Sequence, residues 1–138
     1  RLMSNIREDK GYTYGIGSVI VSMKHEGYYF VSTEVGADVT NDAIKEIYHE
    51  VDIMRNELVE EDELEMVKNY MLGTFLKGID GAFHLAERFK SIYLSELDYS
   101  YYERYVEKLR TIGPDEILEL SRKYLDPAGF LEMVVGRK

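Results

Sequence analysis

Cysteine is absent from the 138 residues, which excludes a disulfide framework, a thiolate zinc knuckle and a cysteine nucleophile but leaves the redox compartment open. Basic residues are few: 17 Lys and Arg stand against 26 Asp and Glu, a formal charge of −9, and no Lys/Arg-rich run of five or more occurs. Such a balance argues against the broad phosphate-neutralising surface that supplies most nucleic-acid affinity. Long apolar runs are lacking too. The longest span four or five residues, far short of the roughly 20 that cross a bilayer, and no charged-then-apolar leader opens the chain. A soluble, cytoplasmic or periplasmic polypeptide without a membrane span is expected.

What is present suffices for one packed core: 45% of the residues are hydrophobic in a length that fits a single domain, residues 1–138. The first residues, Arg-Leu-Met-Ser-Asn-Ile-Arg, form an amphipathic run with no cap before it. They read as a helix already in progress, hence as part of a longer polypeptide.

That helix is expected to end near Lys10, where Gly11 tolerates the positive φ of a helix C-terminus. Thr13 to Met23 and Tyr28 to Val35 are rich in β-branched and aromatic residues around the polar turn Lys24 to Gly27, and predict a β-hairpin. Then the period changes. Ile44, Ile47, Val51, Met54 and Leu58 predict a helix with Thr40 as N-cap, and Leu64, Val67, Met71, Phe75 and Ile79 predict a second behind the acidic step Glu60 to Glu63. Further helices are expected over Ala82 to Glu96, Tyr101 to Leu109 and onward from Pro114, which suits a first helical turn. Phe130 to Val135 reads as a closing strand. The order predicts an α+β fold, helices covering one face of a mainly antiparallel sheet. With so few strands, segments before residue 1 are expected to complete the sheet.

Histidine offers little metal chemistry. His25, His49 and His84 lack a second histidine at helical spacing, and in His84-Leu-Ala-Glu87-Arg88 a cation stands where the second imidazole of a zinc helix belongs. Glu57 to Glu63 reads as a solvated helix end, and the tyrosines at 99, 101, 102 and 105 as packing. Gly15 and Gly17 lie within a strand and lack the third glycine of a phosphate loop, so they point to close approach of another backbone or ligand.

Arg7 and Tyr14 are different. They are seven residues apart, one in the last turn of a helix and one at the start of a strand, joined through a chain-reversing glycine. Arginine brings a planar fork of donors suited to peptide carbonyls, and a tyrosine hydroxyl supports a developing oxyanion. The bland alternative has Arg7 neutralising its helix C-terminus and Tyr14 packed in the sheet.

The segment Arg-Leu-Met-Ser-Asn-Ile-Arg-Glu-Asp-Lys-Gly-Tyr-Thr-Tyr resembles the signature in the C-terminal half of insulinase/pitrilysin-type zinc peptidases, the inverzincin family that includes the mitochondrial processing peptidase. Asp62 to Asn69 with Gly73, the helix from Pro114, Lys123 to Pro127 and the closing Val134-Val-Gly136 resemble later parts of the same half. The resemblance implies a metallohydrolase fold truncated at its first strand and helix, in which Arg7 and Tyr14 face a zinc centre across a chamber and grip the peptide substrate. The family's H-x-x-E-H motif is missing here, so zinc is expected only in an N-terminal catalytic half or a partner subunit, with no cofactor in this chain. A catalytically silent member acting as scaffold or peptide-binding subunit is the alternative, and a free-standing acidic interaction domain a third. An uncovered sheet edge would favour a homodimer.

Overall fold

Glycine at position 11 decides where the first helical segment stops. In the computed structural model, which describes residues 1–136, Met3–Asp9 is a π-helical segment followed by Gly11 at φ 66°. A side chain at that φ is strained, and glycine is not. The Gly11 amide donates to the Arg7 carbonyl at 3.1 Å, and the Tyr12 amide reaches back to the Ile6 carbonyl at 3.0 Å. Backbone groups left over by the helix end are thereby satisfied as the chain reverses.

Strands β1 (Thr13–Ser22) and β2 (Gly27–Val35) follow, antiparallel and in register from Ile16 opposite Thr33 to Ser22 opposite Gly27. The hairpin expected from the β-branched runs is present. Its pairing slips once: Thr13 faces Val35 and Ile16 faces Thr33, so Tyr14 and Gly15 together oppose Glu34. This is a β-bulge. Nothing lies within 4 Å of where a side chain on Gly15 or Gly17 would begin, so no backbone of the described residues makes the close approach their presence suggested. At Gly15 the irregular pairing accounts for the glycine instead.

Helices α1 (Thr40–Asn56), α2 (Glu61–Lys77), α3 (Ala82–Leu94), α4 (Ser100–Thr111) and α5 (Pro114–Tyr124) come next, then a 3₁₀ turn at Pro127–Gly129. Thr40 is not the N-cap of α1 but its first residue; its hydroxyl donates back to the Gly36 carbonyl at 3.1 Å and leaves Val39 at the cap position. On α2 the covered side is rotated from the expected stripe. Leu64 and Lys68 are buried while Val67 and Met71 are exposed. Lys68 tolerates that position because its ammonium meets Glu65 at 2.7 Å while its methylenes are covered. On α3 it is Ile92 that is buried, with Phe83, Phe89 and Tyr93 exposed.

Phe130 to Val135 forms no strand. Its β-forming composition has no partner ladder among the described residues, and a strand exists only by pairing. The Phe130 ring packs 5.9 Å from that of Tyr48 on α1, whereas Leu131 and Val135 stand 86% and 91% exposed.

The molecule is α+β, with a two-stranded sheet. Its chain forms two compact units. Unit 1 takes Arg1–Ser22, Glu26–Glu57 and Leu118–Lys138, and its buried apolar side chains include Ile6, Ile16, Ala43 and Val51. Unit 2 takes Met23–His25 and Leu58–Ile117, and buries Val59, Leu64, Ile92 and Leu109. No helix among the described residues is long and apolar enough to cross a membrane.

Candidate functional site

The reversal at Gly11 and the bulge after Thr13 act on the same few residues. Strand alternation would carry each residue to the face opposite its neighbours, and the bulge re-aims one position. Thr13 and Ile16 are buried, whereas Tyr14 between them is 98% exposed. The bulge is stitched by hydroxyls. Thr13 Oγ1 lies 2.7 Å from the Glu34 carbonyl and 2.9 Å from that of Gly15, and accepts from the Gly15 amide at 3.1 Å. The Thr33 hydroxyl approaches Thr13 Oγ1 at 2.9 Å and the Gly15 carbonyl at 3.0 Å. The Ile16 amide, just past the bulge, points to the Met3 sulfur at 3.5 Å and ties β1 to the π-helical segment.

That segment is in turn fastened to α1. Both amide hydrogens of Asn5 are used, one to Glu46 at 3.0 Å and one to Glu50 at 2.7 Å, while Lys10 meets Glu46 at 3.2 Å. Glu46 and Glu50 stand one helical turn apart, so a single amide bridges two carboxylates on the same face. The hydrogen bond from Asn5 and then that with Lys10 hold the Glu46 carboxyl below its ordinary value, and the reciprocal bond raises Lys10.

Between the π-helical segment and the bulge lies an open hollow of about 510 Å³, lined by Arg7, Tyr12, Tyr14, Glu34 and the backbone at Gly11 and Gly36. The two side chains singled out in the sequence thus border one hollow in unit 1, both exposed. Tyr14 does not pack in the sheet, and the Arg7 guanidinium has neither ion pair nor hydrogen bond among the described residues. Glu34 escaped sequence reasoning because nothing local marks a strand residue as the one facing a bulge. Gly15 within a β-branched run was the available signal.

The histidines lie elsewhere. His84 Nδ1 approaches the Asp80 carbonyl at 2.5 Å, and Arg88 on the same helix turns into an aromatic group, 5.2 Å from the Phe75 ring and 5.6 Å from that of Tyr102. Tyr102 closes this group with a hydrogen bond from its hydroxyl to the Arg88 carbonyl at 2.9 Å. A second hollow, about 440 Å³, opens beside Phe75, Tyr102 and Val106 in unit 2, and neither Arg7 nor Tyr14 borders it. Among the described residues no group of three or more His, Asp or Glu is placed to hold a metal ion.

An α+β arrangement of this kind occurs in two solved bacterial structures. One, described as the peptidase M16 inactive domain from Pseudomonas fluorescens, superposes with a TM-score of 0.80 at 20% identity; the other, a protease from Helicobacter pylori, gives 0.75 at 14%. Each match covers 91% of this chain and 30% of the other, and at such identities the likeness speaks for the fold. Residues 1–71 match the family model described as the peptidase M16 inactive domain, and the chain belongs to that family. No curated protein matches the sequence.

Proposed function

We propose that this chain is the substrate-binding half of a zinc-dependent metalloendopeptidase of the insulinase/pitrilysin, inverzincin type. What supports the reading most is the meeting of Arg7 and Tyr14, each exposed, in one open hollow. The sequence lacks H-x-x-E-H, and zinc is assigned in this reading to an N-terminal catalytic half or a partner subunit. The Tyr14 hydroxyl donates to the scissile carbonyl of an extended peptide as its oxygen gains charge. Arg7 offers its donor fork to a neighbouring carbonyl.

In the intact polypeptide, Tyr14→Phe and Arg7→Ala should each lower peptide hydrolysis on the order of 100-fold while thermal unfolding stays unchanged. Both side chains are exposed, so loss of fold is not the expected cause. Turnover equal to the parent in both variants refutes the assignment.

Membership of the peptidase M16 inactive-domain family is equally compatible with a second reading, a catalytically silent scaffold or peptide-binding subunit. The two part on a simple measurement: zinc content of the intact polypeptide, with H-x-x-E-H present upstream for the enzyme and absent for the scaffold.

A further inference from the structure

The hollow has a charge of each sign on its wall, and neither is spent. Arg7 and Glu34 both border it, yet no ion pair joins them, and the Glu34 carboxylate, like the Arg7 guanidinium, has no partner among the described residues. Elsewhere in unit 1 the pattern is otherwise: Lys10 pairs with Glu46, Lys45 with Asp42 at 2.8 Å, and Arg55 with Asp126 at 3.6 Å.

Register places Glu34 with Tyr14. Thr13 is paired with Val35 and Ile16 with Thr33 on the covered face, so the residue between Thr33 and Val35 belongs to the opposite face, where the bulge projects Tyr14. Side chains facing each other across an antiparallel pair stand about 5 Å apart at Cβ. A peptide held by Tyr14 through one carbonyl would run along the same hollow that Glu34 borders.

We propose that Glu34 is a specificity-determining residue of this hollow and takes a basic side chain of the peptide, lysine or arginine, beside the bond to be cut. The inference rests on the proposed substrate-binding role of Arg7 and Tyr14 and names the class of peptide that role serves. A lysine or arginine gains a charge-assisted contact there, and an aspartate or glutamate at the same place meets a like charge.

The test uses the intact polypeptide and fluorescent peptides identical except for Lys, Gln or Glu at each position within two residues of the scissile bond. Binding is read by anisotropy, which needs no turnover. At one position the parent should bind the Lys peptide about fivefold more tightly than the Glu peptide. Glu34→Gln should bring that ratio near one, and Glu34→Lys should invert it. Glu26→Gln, an exposed carboxylate outside the hollow, should leave it alone. No measurable binding, or a ratio indifferent to both Glu34 variants, overturns the proposal. If the ratio stays fixed while Arg7→Ala still weakens binding, Glu34 alone is misassigned. If Glu34 variants shift the ratio while Arg7→Ala and Tyr14→Phe change neither binding nor turnover, the Arg/Tyr reading fails and the charge preference stands.

Discussion

Thr13 shows how one buried hydroxyl sets the direction of another residue's phenol. It is 9% exposed, and its oxygen serves the Gly15 amide, the Glu34 carbonyl and the Thr33 hydroxyl across the bulge. Thr13→Val keeps the shape and removes the oxygen, leaving the half-buried Gly15 amide and Glu34 carbonyl without their partner. The expected cost is about 1–3 kcal/mol in urea unfolding, with a fall in peptide binding as Tyr14 loses its fixed aim. Thr13→Ser should retain most of both. Equal losses in the two variants would show that the methyl group, not the hydroxyl, matters. Arg7 and Tyr14 were legible as a pair from their spacing and the glycine between them. Glu34 and Thr13 were not, because a bulge depends on which residues of the opposite strand pair, a matter of register rather than composition.

At the scale of elements, the π-helical segment keeps its place through Asn5 and Lys10 on α1. Glu46 makes this anchorage dependent on pH. Its carboxyl is held low, so it binds a proton less readily folded than unfolded, and its stabilisation is complete above the ordinary glutamate range and lost as pH falls through its depressed value. Lys10 works oppositely: raised, it contributes below the ordinary lysine range and loses its contribution as pH climbs through the raised value. The tether is therefore whole across neutral pH and fails first on the acid side. The protection of the Tyr12 amide, which donates within the reversal, against hydrogen exchange should fall once the pH drops below the ordinary glutamate range. Glu46→Gln should remove part of that acid dependence. An exchange profile identical in parent and variant would place the acid sensitivity elsewhere. Among the elements themselves, the hairpin, the break at Gly11 and the start of α5 at Pro114 followed sequence cues closely, since each rests on local backbone preference. The exposed sides of α2 and α3 did not, because apolar periodicity marks a stripe without saying which flank of it meets a neighbour.

For the whole molecule, both strands of the sheet have one unpaired edge among the described residues, and Ile20, Leu131 and Val135 are exposed. Open edges and exposed apolar side chains are surfaces that other chains complete. Self-association through β1 or β2 follows as a proposal beside completion by a catalytic half. Sedimentation of this 138-residue chain should show a concentration-dependent dimer that a lysine at position 20 (Ile20→Lys) weakens. A monomer at all concentrations refutes self-association through these edges.

Composition and local pattern were enough to settle the class of fold, the absence of thiol chemistry and the Arg7 to Tyr14 spacing, since each follows from residue types near one another in the chain. Tertiary structure alone decided that Phe130 to Val135 stays outside any ladder, that Thr40 looks back to Gly36, and that Glu34 joins Arg7 and Tyr14 on the wall of one hollow. Those outcomes depend on partners distant in sequence, whose hydrogen bonds and packing no local preference can specify.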